Sequence, residues 1–397
     1  MVGIADDVVG LHATSPTTPY LSLHARLDGF ACADLDDAVY ERQSLVRLKA
    51  MRGTVFLWSR RLAPLAFAAT RAATVASDRR WLGTNDAVFA RLAPKVLGAL
   101  AGQSLSVSEL RKTLGDDAEV SGVVAMLCDE GRIVRDRPVG TRASSTFRYR
   151  LWTDVFADVS LDEWDETAAT QQLARLYVDS YGPVSRADII WWTGLPARQI
   201  DAALEGLGDE LLTVAVVGLG EDLLMTRSAF EETGTVEPGP VAVNLVPMLD
   251  PYTMAYRDRS RLLDPSLHDT VIDRGGNVTS VVLVDGRVAG VWDLSDEPTP
   301  AIRVLLFGPN HRQRRLVMER AAETGAFWFD AAVPVMEYTS MVPLRARSGV
   351  MRRPLDDARA RSAPRSSKRA RSPRAAASPP ARTARRDSRS RTRGGTP

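Results

Sequence analysis

Ser106-Val107-Ser108-Glu109-Leu110-Arg111-Lys112-Thr113-Leu114 lies in the stretch that decides the fold. Serine ahead of an apolar-periodic run is a helix start, and the reading places the cap at Ser108. Residues 87–101 before it are helical in pattern, and 120–130 after it form a third helix stopped by Gly131. Ile133-Val134-Arg135 and residues 146–151 then alternate as strands around Pro138-Val139-Gly140-Thr141-Arg142-Ala143. Three helices followed by a hairpin is the order of a winged helix-turn-helix, a unit that docks on duplex DNA. The hairpin carries Arg135, Arg137, Arg142, Arg148 and Arg150 against the single acid Asp136. It is therefore expected to face phosphates.

The same grammar recurs on either side. Upstream, 19–27 and 35–43 read as helices, the second capped by Asp34, and two apolar runs flank Arg52-Gly53-Thr54 as a strand pair. An Ala-rich helix over 60–75 follows. Downstream, helices are expected over 167–181, 186–193 and 196–207, with a hairpin of 211–217 and 223–226. Its tip is acidic (Glu221, Asp222), so this unit is expected to pack on its neighbours, with Trp191 and Trp192 in its core. From Val241 the chain turns to short β-rich runs at 241–246, 278–283, 287–292, 302–307 and 335–341, with one helix at 313–324. Five strands and a helix suggest a small barrel or half-barrel. The expected fold is α+β: three tandem winged helix-turn-helix units (1–85, 86–160, 161–238), a C-terminal β-barrel (239–345) and a disordered basic tail (346–397).

Composition narrows the partners. Net charge is only +2, yet residues 345–397 hold 17 Arg and Lys against 3 Asp. The rest of the chain is acidic. A tail this basic and this poor in large apolar residues cannot offset its ordering entropy. It suits a polyanion, or else its own acidic body. The two cysteines, Cys32 and Cys128, match no metal spacing, and no phosphate-cradling glycine loop appears. No metal or other cofactor is expected. There is no apolar run long enough for a membrane span and no secretory signal, so the expectation is a cytoplasmic, nucleoid-associated protein without membrane contact.

Near the N-terminus, Gly10-Leu11-His12-Ala13-Thr14-Ser15-Pro16 joins two helical segments. A helix cannot resume before Pro16, so His12 and Thr14 fall on the connection, one residue apart. Two readings stay open. His12 bonds the backbone while Thr14 caps the next helix, or the two form a small polar site.

Several motifs decide where to look. Gly10-Leu11-His12-Ala13-Thr14, Ala50-Met51-Arg52-Gly53-Thr54, Leu245-Val246-Pro247-Met248-Leu249-Asp250-Pro251-Tyr252 with Tyr256-Arg257-Asp258-Arg259, and Gly276-Asn277-Val278 with Asp285-Gly286-Arg287 stand in one order. In them the chain resembles the winged-helix DNA glycosylases typified by AlkZ and YcaQ, over residues 1–345. The resemblance implies three winged helices and a barrel cradling duplex DNA, a monomer, and hydrolysis of the N-glycosidic bond of alkylated purines, with some members unhooking interstrand crosslinks. Members carry Gln-x-Gln or Gln-x-Asp where this chain has His12-Ala13-Thr14. By that placement His12 activates the water and Thr14 orients it. Arg52, Arg257 and Arg259 join the hairpin arginines as DNA contacts, and Asp250, Tyr252 and Tyr256 support the pocket. For Arg52 a salt bridge to the acidic body, and for the Asp250 to Arg259 group a structural anchor, are equal alternatives. The competing function is a non-catalytic winged-helix DNA-binding protein or regulator.

Overall fold

The first helix, α1 (Val2–Asp7), ends in a turn that feeds β1 (Leu11–His12), and α2 (Thr18–His24) and α3 (Cys32–Asp36) follow. β2 (Leu45–Lys49) and β3 (Val55–Ser59) complete an antiparallel sheet of order β1-β3-β2, and α4 (Ala63–Leu82) closes the unit. Asp34 does not cap α3 from outside. It sits inside the first turn and accepts the Ala31 N–H at 2.8 Å. This computed structural model describes residues 1–82, 86–235, 237, 239–308, 311–346, 353–356 and 359–360.

The second unit keeps the expected order. α5 (Asp86–Leu100), β4 (Leu105–Ser106), α6 (Val107–Thr113) and α7 (Val120–Asp129) precede the hairpin of β5 (Ile133–Pro138) and β6 (Phe147–Leu151), and the short α8 (Trp152–Val155) follows. The cap of α6 is Ser106, not Ser108. Ser106 Oγ accepts the Glu109 N–H at 3.3 Å while Glu109 Oε2 accepts the Ser106 N–H at 2.8 Å. That reciprocal pair satisfies two orphan donors, which Ser108 has no partner to match. Leu92, Val96, Leu110, Val123, Leu127 and Ile133 fill the unit's own core.

In the third unit α9 (Glu166–Tyr181), α10 (Arg186–Thr193) and α11 (Ala197–Leu207) lead to the hairpin of β7 (Leu211–Val216) and β8 (Gly220–Thr226), and α12 (Arg227–Thr233) follows. Its tip stands clear of the body, with Val217 fully exposed. The unit's interior is what packs: Tyr177, Tyr181 and Trp192 share one core with Trp58 of the first unit and Val246 and Leu249 of the C-terminal part. Each such burial contributes roughly 1.5–3 kcal/mol, so these regions are cemented together.

The C-terminal part corrects the barrel. β9 (Val243–Val246), β10 (Val281–Val284), β11 (Arg287–Ser295), β12 (Ala301–Leu306), β13 (Val335–Ser340) and β14 (Arg359–Ala360) form a sheet of order β14-β13-β12-β11-β10-β9, with α13 (His268–Val271) before β10 and α14 (His311–Phe329) between β12 and β13. Its two ends do not meet. β12 and β13 run parallel, joined by α14. Val317 and Ala321 of that helix pack with Val243, Leu245, Val282 and Trp292 of the sheet. The apolar face is buried by a helix, so nothing drives it to close on itself.

Order also extends beyond residue 345. Leu355 is buried and donates its N–H to Asp293 Oδ2 at 2.8 Å, and Asp356 meets Arg303 at 3.0 Å. Apart from 346, 353–356 and 359–360, the 346–397 tail lies outside the described residues. Among the described residues no helix is long and apolar enough to cross a membrane, and no group of three His, Cys, Asp or Glu is placed to hold a metal ion.

Candidate active site

Backbone geometry places His12. Val9 and Gly10 both take left-handed conformations, φ 48° and 92°. A Cβ on Gly10 would stand 3.0–3.1 Å from the Trp58 ring, so only glycine fits. The turn is held by the Gly10 N–H on Ala5 O at 2.7 Å and by the Tyr181 hydroxyl on Val8 O at 2.6 Å. The chain then leaves as an edge strand, not the loop expected, with His12 opposite Phe56 and the two rings 4.8 Å apart.

His12 is buried, and Thr14 is exposed. The Thr14 N–H points at His12 Nδ1 from 3.4 Å, and Thr14 Oγ1 accepts the Val55 N–H at 3.1 Å. A neutral imidazole that accepts at Nδ1 carries its proton on Nε2. Burial, then the nearby Arg52 guanidinium, pull the His12 pKa down to about 3 against the opposing pull of Asp250. The ring is neutral throughout the physiological range. His12 and Thr14 are therefore brought together, with the threonine acting on the histidine through its backbone.

A cavity of about 40 Å³ opens beside His12, walled by Arg52, Thr54, Phe56, Trp192 and Asn277 among others. That is room for one to a few waters. Asn277 lines the cavity while its amide is anchored on Asp273 Oδ2 at 3.1 Å. Arg52 is exposed, in a left-handed conformation at φ 55°, and its guanidinium lies 4.4 Å from the Trp191 ring.

The Asp-Pro-Tyr motif mainly builds the frame. Asp250 is fully buried and gripped by Arg26 at 2.7 and 2.8 Å, and its Oδ2 also accepts Ser22 Oγ–H at 2.7 Å. Tyr252 donates to Gly286 O at 3.2 Å and Tyr256 to Tyr181 O at 3.1 Å. Arg257 is exposed, whereas Arg259 is buried, 4.5 Å from Trp191.

Four of the five hairpin arginines have neighbours within the chain that their guanidinium groups meet. Arg137 pairs with Glu41 and lies 4.9 Å over the Tyr40 ring. Arg148 reaches Ser104 O and Glu109, the latter at 2.7 Å. Arg142 lies beside the Cys32 thiol and Arg135 beside the Tyr149 hydroxyl. Of the five hairpin arginines, Arg137 and Arg148 thus have a carboxylate partner within the chain. Sequence reasoning missed Arg26, Phe56, Tyr181 and Trp191 as parts of the site, because none carries a local motif.

Residues 5–327 match the family described as DNA glycosylase AlkZ-like, and the chain belongs to that family. Among its relatives, an interstrand DNA cross-link repair glycosylase of Streptomyces sahachiroi is 26% identical over 275 residues, 64% of this chain and 71% of that protein. The structure of Streptomyces sahachiroi DNA glycosylase AlkZ shares the fold, with a TM-score of 0.69 and 22% identity over 84% of this chain and 92% of that one.

Proposed function

We propose that the protein is a monofunctional DNA glycosylase that hydrolyses the N-glycosidic bond of alkylated purines in duplex DNA, crosslinked bases included. The observation that carries the reading is the neutral His12 lining a small cavity that admits water. An N-alkylated purine already bears positive charge, so it departs as a neutral base, taking the bonding electrons when the C1′–N bond breaks. The water adds to C1′ and its proton passes to solvent, leaving an abasic site. With Nδ1 occupied and a pKa of about 3, His12 serves as a hydrogen-bonding holder of that water more than as its base. Thr14 fixes the ring from behind.

The three helix–hairpin units are read as tandem winged helices in a monomer that works on nucleoid DNA. Arg52, Arg257 and Arg259 supply the grip near the site, and Asp250, Tyr252 and Tyr256 hold its floor. The test is base release from duplex carrying 7-methylguanine and from a nitrogen-mustard-type crosslink, by wild type and His12→Ala. Release that falls by roughly 10²-fold in the variant supports the reading. No release from either substrate, with duplex binding retained, points to the non-catalytic DNA-binding alternative.

A further inference from the structure

Three separate segments meet at one indole. Arg52, from the turn after β2, stands 4.4 Å from the Trp191 ring, and Arg259, from the loop after Tyr256, stands 4.5 Å from it. Neither guanidinium has an ion pair among the described residues. Cation–π attraction holds each in place, but two like charges on one ring repel.

The surroundings keep them there. Gly194, at φ 72°, packs so tightly that an added Cβ would lie 3.2 Å from Arg52 Cα and 3.0 Å from its Cγ. Arg259 donates to Tyr256 O. Asp188, a buried carboxylate whose charge reaches Arg259, has its oxygens on other donors. Its Oδ1 accepts the Arg257 N–H at 2.8 Å, and its Oδ2 accepts the Ser185 N–H at 2.9 Å and hydroxyl at 2.8 Å. Asp258 accepts the Ser260 N–H at 2.9 Å. Burial, and then Arg52, bring the Arg259 pKa down to about 10, as expected of a cation short of counter-charge.

We propose that Trp191 organises the exposed Arg52 and the buried Arg259 into a clamp for a single phosphodiester of the strand carrying the reacting nucleotide, Arg52 making the contact and Arg259 adding its charge. The inference rests on the glycosylase reading only for the choice of DNA as the anion. Arg52 and His12 line the same cavity, so a phosphate held by Arg52 brings the adjoining sugar to that cavity. Trp191 is thus a positioning residue. It touches neither base nor water, and it presents the two cations at one spacing.

The test is binding of full-length protein to duplex containing a tetrahydrofuran abasic analogue, read by fluorescence anisotropy. Single methylphosphonates, which remove one charge each, are placed in turn at the phosphates flanking the analogue. Wild type should lose about 10-fold in affinity at one position and little at the others. In Arg52→Gln and in Trp191→Leu that position should cost nothing further, with Trp191→Phe restoring part of the penalty. Arg52→Gln should also lower the salt slope by about one. A wild-type scan without a dominant position overturns the clamp, whatever the variants do. So does a penalty that survives unchanged in folded Trp191→Leu. Base release measured on the same preparations judges the glycosylase reading separately, because the scan needs no chemistry.

Discussion

Arg26 grips Asp250 with both terminal nitrogens, 2.8 and 2.7 Å, joining α2 to the loop after β9 across 224 residues of chain. Asp250 Oδ1 also takes the Tyr252 N–H at 3.0 Å, so this fully buried carboxylate has a complete set of donors. Removing one partner of such a pair leaves the other uncompensated. Asp250→Ala should therefore lose about 3–5 kcal/mol in urea denaturation at neutral pH. Arg26→Met with Asp250→Leu should lose clearly less. Equal losses would show that packing, not charge, is what the site requires.

Burial of a neutral His12 makes stability depend on pH in a defined direction. Unfolded, the ring titrates near its ordinary 6.5; folded, near 3. Below 6.5 the unfolded chain binds the extra proton, so stability is full above 6.5 and falls as pH falls toward 3. The slope from this one group is at most about 1.4 kcal/mol per pH unit. His24, also lowered by burial, acts in the same sense. Melting scans from pH 7 to 5 should thus be flatter in His12→Gln than in wild type, with the His24 share remaining. Parallel curves would mean His12 is solvated.

Chemistry gives a second use of the same substitution. A glutamine amide is neutral and both donates and accepts. His12→Gln should retain release of 7-methylguanine within about 10-fold, while His12→Ala loses roughly 10². The pH–rate profile of wild type should stay level between 5 and 8, since nothing at His12 titrates there. A rate rising through pH 6.5 would make His12 a general base after all.

Some of this was legible in the chain and some was not. Periodicity located the helices and hairpins within a few residues, since amphipathic faces and Gly131-type stops are local. Local motifs also marked His12, Arg52 and Asp250. Their partners were hidden. Nothing near Arg26 in sequence points to Asp250, and the Trp191 stack draws on three distant segments. The barrel failed for a similar reason: five strand patterns do not say whether a helix will cover their shared face. Local charge balance in the hairpin likewise omits Glu41, which is remote in sequence from its partner Arg137.

That last point is testable. Arg137 and Arg148 already face Glu41 and Glu109, exposed pairs that contribute little to stability. Arg137→Ala and Arg148→Ala should leave the salt slope of duplex binding unchanged. Arg257→Ala, removing an exposed cation with no ion pair among the described residues, should lower it by about one. A slope that falls for Arg148→Ala would mean that the hairpin exchanges Glu109 for phosphate on binding.

The tail can be divided by the same logic. Leu355 is buried, Asp356 pairs with Arg303, and Arg359–Ala360 adds a strand beside β13. Truncation after residue 345 strips these contacts, exposes the edge of β13 and leaves the Asp293–Arg303 pair without its cover. Truncation after 361 removes none of them, yet takes away most of the basic charge of the last 53 residues. The shorter protein should melt several degrees lower, about 2–4 °C for each kcal/mol lost. The longer one should melt like wild type but bind undamaged duplex more weakly, with a flatter salt dependence. Unchanged salt dependence after the cut at 361 would restrict the DNA grip to the folded body.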